Sequence, residues 1–144
     1  MKALSIMQPW AWAICEAGKD VENRTWHTAY RGFFLIHTGL KADLTDWDTV
    51  EEICGMRPPE DLPRGGIVGQ ACLEDSLYGE DGAANSGWYF GPVGFMLREA
   101  RSLPFQPCKG KLGFFEPDFN SVYAKDKQKP IERTLFNRNQ RTHN

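Results

Sequence analysis

The chain has 144 residues, 41% hydrophobic and 12% aromatic, with a formal charge of -2. That is enough for one domain with a real core, short for two, and without the global positive field that would advertise a polyanion partner; contact with nucleic acid has to rest on a local patch. The longest apolar runs fall far short of a bilayer span and the first residues lack a secretory core, so the expectation is a cytoplasmic protein with no membrane contact.

Residues 3–7 (ALSIM) form a short apolar run, expected as a first strand or entry segment. Pro9 suits a first helical turn, where its missing N–H costs nothing. Trp10, Ala13, Ile14 and Ala17 then fall at helical spacing, and Gly18 reads as the residue that stops the turn. A helix over 9–17 is too short to stand alone in water and must lie against something broad. Beyond it Val21, Asn23 and Thr25 alternate with Glu22, Arg24 and Trp26, an extended pattern.

Residues 33–37 (FFLIH) are a strong β run. Residues 43–56 read as a helix with Trp47, Val50, Glu51 and Cys54 on one face and Asp43 or Thr45 as cap. A turn-rich connector, RPPEDLPRGG, leads into GIVGQACLED, a strand whose glycines at 65, 66 and 69 permit close backbone approach. Residues 79–88 (GEDGAANSGW) have the composition of a surface loop. Residues 88–103 hold at least one strand despite Gly91, Pro92 and Gly94, and 104–119 place a glycine-flanked lysine turn ahead of a last apolar strand. From Lys125 onward six basic residues face two acidic ones, a net of +4. Several short strands with two helices predict a mainly β fold with flanking helices, a small barrel or half-open sheet. Residues 1–118 are expected to be the domain and 119–144 a basic, polar extension that could serve a protein partner.

The cysteines at 15, 54, 72 and 108 make no CxxC pair, and the histidines at 27, 37 and 143 make no metal spacing. Neither metal nor cofactor is expected. The chemistry is concentrated in Lys19, Glu22 and Arg24. Glu22 and Arg24, two apart in an extended segment, share a face, and Trp26 continues it; Lys19 follows the helix end closely enough to join them. On an open surface such a cluster contributes little. Covered by the Trp10 helix and the strand at Gly65–Gly66, it would be an enclosed polar site that calls for a ligand or a full set of hydrogen bonds.

The stretch QPWAWAICEAGKDVENRTWHTAYRGFFLIH resembles the signature of the ASCH domain family, a group of the PUA-like superfamily. The signature has a Gln-Pro-Trp-Ala helix start, a Gly-x-Lys-x-x-Glu-x-Arg pattern, and Tyr-Arg-Gly before an apolar strand ending in histidine. Here the glycine directly precedes the lysine, a departure of one position. LPRGGIVGQACLED is similar to a second block of the family, and LPFQPCKGKLGFF to its closing lysine turn and strand, so the likeness runs from about Leu4 to Phe115. It implies a PUA-like small β-barrel with helices around it and a cleft lined by the helix end and the Lys-Glu-Arg strand. Family members are generally held to bind or act on RNA; some hydrolyse the acetyl amide of N4-acetylcytidine and others are ribonucleases. The fold does not choose between these.

Three readings follow. In the first the chain binds RNA or a nucleotide: Trp10 and Trp26 offer stacking surfaces, Lys19, Arg24, Arg31, Lys109 and Lys111 hold phosphate, and Glu22 accepts from an exocyclic amine or orients Arg24. In the second it hydrolyses a modified nucleoside, with Lys19 and Glu22 catalytic. Lys19 matches the lysine of the amidohydrolase members, but Glu22 stands where they carry a threonine nucleophile, so Glu22 would have to act as a base for water. Their further glutamate has only Glu74 and Glu80 as candidates here. In this reading Glu22→Gln spares shape and binding and removes turnover alone. In the third the chain is a protein-interaction module.

Overall fold

The computed structural model describes residues 1–127, 130, 131 and 133. The strands are β1 (Ala3–Ser5), β2 (Val21–Arg24), β3 (Gly32–Thr38), β4 (Gly66–Tyr78), β5 (Val93–Pro107) and β6 (Phe114–Phe115), with helices α1 (Trp10–Glu16) and α2 (Leu44–Cys54). The fold is mainly β, as expected. All six strands join one sheet in the order β2-β5-β4-β3-β1-β6, antiparallel except where β1 lies parallel to β3.

The long pair β4 and β5 bends the sheet. Its register slips at Ile67/Gly69, Gln70/Cys72 and Leu73/Asp75, and each slip adds local twist. The sheet curls into a half-barrel whose two edges meet through side chains. Arg24 Nη2 donates to the Ser5 carbonyl of β1 over 2.7 Å, and the Trp26 ring stands edge-on 6.2 Å from Phe114 of β6. The seam of the barrel therefore runs past Arg24.

Inside, Leu4, Ile6, Phe34, Ile36, Val68, Leu73 and Phe95 form the main core, and α1 plugs it with Ala11 and Ile14. Each large apolar side chain fully buried this way contributes roughly 1.5–3 kcal/mol. Pro9 caps the start of α1 instead of occupying its first turn, and the helix spans seven residues. The fit against the sheet is close because β4 carries no side chain at Gly69, where a Cβ would collide with Cys15 Sγ.

Helix α2 begins at Asp43, whose side chain accepts from Thr45 N at 2.8 Å, and ends at Gly55 in the left-handed region. Its buried face is Thr45, Trp47 and Val50. Glu51 is exposed and paired with Arg57, since a carboxylate on that edge finds a cation more cheaply than a place in the core. Val50 meets Ala13, Val21 and Trp88 in a second cluster that braces α1 from outside the barrel.

The strand beside β2 is β5, and β4 lies one strand further on, so the cover expected from Gly65–Gly66 comes from elsewhere. Past β6 the chain returns to the lysine turn: Lys109 N donates to Ser121 O at 2.7 Å and Gly110 N to the Tyr123 hydroxyl at 3.2 Å. Arg133 pairs with Asp48 on α2. Lys129, Arg138 and Arg141, which belong to the expected basic arm, lie outside the described residues. All four cysteines are free thiols. Burial pushes Cys15 up to about 11 and raises Cys108 as well, which favours the protonated thiol in both at neutral pH. No described helix is long and apolar enough to cross a membrane.

Candidate functional site

The end of α1 delivers Lys19. Gly18 takes φ +75°, a backbone that side chains disfavour, and turns the chain so that Lys19 N returns to the Ala13 carbonyl at 3.0 Å. The lysine side chain is then 2% exposed. Its ammonium donates to the Val21 carbonyl and to Glu22 Oε1, the latter at 2.9 Å. Arg24 Nη2 meets the other oxygen, Glu22 Oε2, at 3.1 Å. Glu22 thus bridges two cations, and the trio carries a net charge of +1.

Two donors in this cluster are unspent. Lys19 has three N–H bonds and two acceptors. Arg24 Nε is buried with no partner among the described residues. Because a buried donor without an acceptor costs about 1–3 kcal/mol, the arrangement favours a ligand that brings acceptors.

Lys19 and Glu22 line a cavity of about 160 Å³ together with Trp10, Asn23 and Phe90. Trp10 lies 5.8 Å from the Lys19 ammonium, within cation–π range. Phe90, 61% exposed, lines the same cavity and forms part of its lip. Asn23 holds that lip in place: its Oδ1 accepts from Phe90 N at 2.7 Å and Gly91 N at 3.0 Å, and its Nδ2 donates to Trp88 O at 3.0 Å. The chemistry on offer is a cavity lined by two aromatic rings, a cation with a spare N–H and an anion.

The other expected site residues are placed as follows. Trp26 packs edge-on against Phe95 at 5.2 Å, and since Phe95 is the cross-strand partner of Glu22, Trp26 stays on the face of Glu22 and Arg24. It lies toward the seam, outside the cavity lining. Arg31 is apart from the cluster, paired with Asp75 at 3.2 Å and donating to the carbonyls of Thr28 and Tyr30. Lys109 and Lys111 are exposed on the turn before β6. That turn abuts the seam, because a Cβ at Gly110 would stand 2.6 Å from Ser5 Oγ, on the residue whose carbonyl accepts from Arg24. Glu74 is exposed and paired with Arg98, and Glu80 lies in a 3-10 turn; neither lines the cavity.

Behind the seam His37 is fully buried. Its Nε2 is 2.9 Å from the Cys108 carbonyl, which can only accept, so that nitrogen carries the proton and Nδ1 accepts from the Ser5 hydroxyl at 2.7 Å. Burial lowers its pKa, opposed in part by the Cys108 hydrogen bond.

Asn23, Phe90 and Ser5 are the contributors that sequence reasoning missed. For Asn23 a signal existed: a polar residue with both donor and acceptor, placed between two charges of a tight motif. For Phe90 there was none, since an aromatic in a glycine- and proline-broken loop has no periodicity to read. Compared with known proteins, residues 4–99 match the model of the ASCH domain, and no curated protein matches the chain. The lysine-turn block at 103–115 lies beyond the matched stretch.

Proposed function

The chain belongs to the ASCH domain family, a PUA-like group generally associated with RNA binding, and from that premise we propose that it binds single-stranded RNA by taking one unstacked nucleotide into the Trp10–Phe90 cavity. The observation that carries this reading is the pairing of a spare, buried Lys19 N–H with two aromatic rings around a space of about 160 Å³. A base has a flat π face for the rings and ring or carbonyl acceptors for the lysine, and such stacking contributes about 1–3 kcal/mol per base. Arg24, 21% exposed at the seam, and the exposed Lys109 and Lys111 are the groups for adjoining phosphates. Asn23 and Glu22 position the cavity. In this reading residues 1–118 are the binding domain, 119–144 an extension, and the setting is cytoplasmic.

Hydrolysis has less to support it. None of the five residues lining the cavity carries a hydroxyl or thiol, and both oxygens of Glu22 already accept from cations. The discriminating experiment presents the protein with short single-stranded RNA, single-stranded DNA and free nucleosides including N4-acetylcytidine, and scores both binding and product. Binding of RNA without product is expected. Robust release of acetate or cleavage of the strand would overturn the assignment in favour of an enzyme.

A further inference from the structure

Leu112 is 99% exposed at the tip of the turn that joins β5 to β6. A lone exposed leucine is ordinary. The mounting of this one is not: Cys108 N donates to Gly65 O at 3.2 Å, Lys109 N to Ser121 O at 2.7 Å and Gly110 N to the Tyr123 hydroxyl at 3.2 Å. His37 Nε2 holds the Cys108 carbonyl at 2.9 Å. Gly110 is pressed so closely onto the barrel that a Cβ would come within 2.5 Å of His37 Cε1. Gly113, at φ +66°, then turns the chain into β6. The leucine therefore projects from a clamped base, between Lys111 and that glycine, with exposed Lys109 two residues before Lys111.

Its neighbours define what it faces. Across the seam stand Arg24, reached through Ser5, and Trp26, 6.2 Å from Phe114. An apolar tip flanked by cations, on a turn that abuts the seam at Ser5 and Arg24, has together with the aromatic-lined cavity at Glu22 the parts needed to open a stacked helix. A ring can enter such a cavity only after leaving its stack, and an apolar wedge inserted at the vacated step offsets part of the unstacking cost, while lysines hold the phosphates on either side.

We propose that Leu112 is an unstacking wedge: the turn of residues 108–113 enters a paired RNA stem next to the nucleotide held by the Trp10–Phe90 cavity, so that the partner is a structured RNA with paired segments. This rests on the nucleotide-binding reading and extends it from single strands to stems. Leu112 supplies the apolar face, Lys109 and Lys111 the charge complementarity, and the clamp through His37, Ser121 and Tyr123 the stiffness that lets a side chain act as a wedge.

The test uses the full chain with an RNA hairpin carrying 2-aminopurine in its stem and, separately, one strand of that stem. The native chain should brighten the 2-aminopurine as it unstacks. Leu112→Ala, a change at a fully exposed position, should keep single-strand affinity within about twofold while lowering hairpin affinity by roughly tenfold and abolishing the brightening. Leu112→Met, which keeps an apolar tip, should restore most of the signal. Single-strand binding without any hairpin brightening by the native chain would overturn the wedge and leave the cavity reading standing. Equal brightening by Leu112→Ala would also overturn it, as would sedimentation with anionic vesicles that depends on Leu112. Failure to bind either RNA would sink the nucleotide-binding reading and the wedge with it.

Discussion

Glu22→Gln removes the one anion that Lys19 and Arg24 share, and its cost can be worked from the geometry. Both pairs are short, 2.9 and 3.1 Å, and the three side chains are 2%, 12% and 21% exposed. Breaking a buried ion pair by removing one partner costs about 3–5 kcal/mol, because the other charge is left without compensation. Arg24 keeps the Ser5 carbonyl and some solvent, so most of the loss falls on Lys19, which keeps the Val21 carbonyl, the Trp10 face and a neutral amide oxygen in place of a charge. The lower end, about 3 kcal/mol, is the expectation, and for a chain of this size that is a fall in Tm of roughly 6–12 °C. Thermal unfolding followed by circular dichroism reads it. Lys19→Met in the same background should recover part of the loss, with a coupling of about 0.5–3 kcal/mol in the double-mutant cycle. The sequence alone predicts that Glu22→Gln preserves shape and binding; the bridging geometry predicts a loss of stability. A variant melting within about 2 °C of the native chain would show that the trio is solvated and refute the enclosed site.

Four further variants test individual contacts. Phe90→Ala should leave stability within about 0.5 kcal/mol while weakening RNA binding about 5- to 150-fold by titration; Asn23→Ala should weaken it in the same direction and speed hydrogen exchange at the amides of Phe90 and Gly91. His37 is buried and held neutral, with a folded pKa below the ordinary 6.5, so the unfolded chain binds its proton first as pH falls. Its stabilisation is complete above pH 6.5 and is lost as pH drops through the folded pKa; the slope of Tm against pH in that window should shrink in His37→Gln. Gly110→Ala should cost about 1–3 kcal/mol in chemical denaturation, since the added methyl has to displace His37 or Ser5.

The elements that announce themselves through period and caps were legible in the sequence. Trp10, Ala13 and Ile14 placed α1, Gly18 its stop, and the alternation from Val21 to Arg24 put Glu22 and Arg24 on one face, where the structure pairs them. The length of β5 was not legible, because from Arg98 onward its side chains are mostly exposed and follow no alternation. The partner of β2 was not legible either, since strand order depends on where bulges bend β4 and β5. The nearness of the lysine turn to Arg24 is a property of barrel closure: Ser5 and Gly110 are far apart in the chain, and only the curled sheet sets one against the other. On sequence Arg31 groups with Arg24 as a residue for phosphate, yet its carbonyl partners and Asp75 hold it away from the cluster.

The five tryptophans give the most direct test of where RNA binds, because each carries one indole N–H visible in a nitrogen–proton correlation spectrum. Trp10 lines the proposed nucleotide cavity, Trp12 lines a separate apolar groove with Met56 and Phe105, and Trp47 is fully buried with its indole donating to Pro59 O at 2.8 Å. Titration with a short single-stranded RNA should move the Trp10 signal progressively, shift Trp26 when the seam is engaged, and leave Trp12 and Trp47 where they are. In Phe90→Ala the Trp10 shift should need more RNA to saturate. A titration in which Trp10 stays fixed, or in which Trp12 moves in its place, would contradict binding in the Trp10–Phe90 cavity.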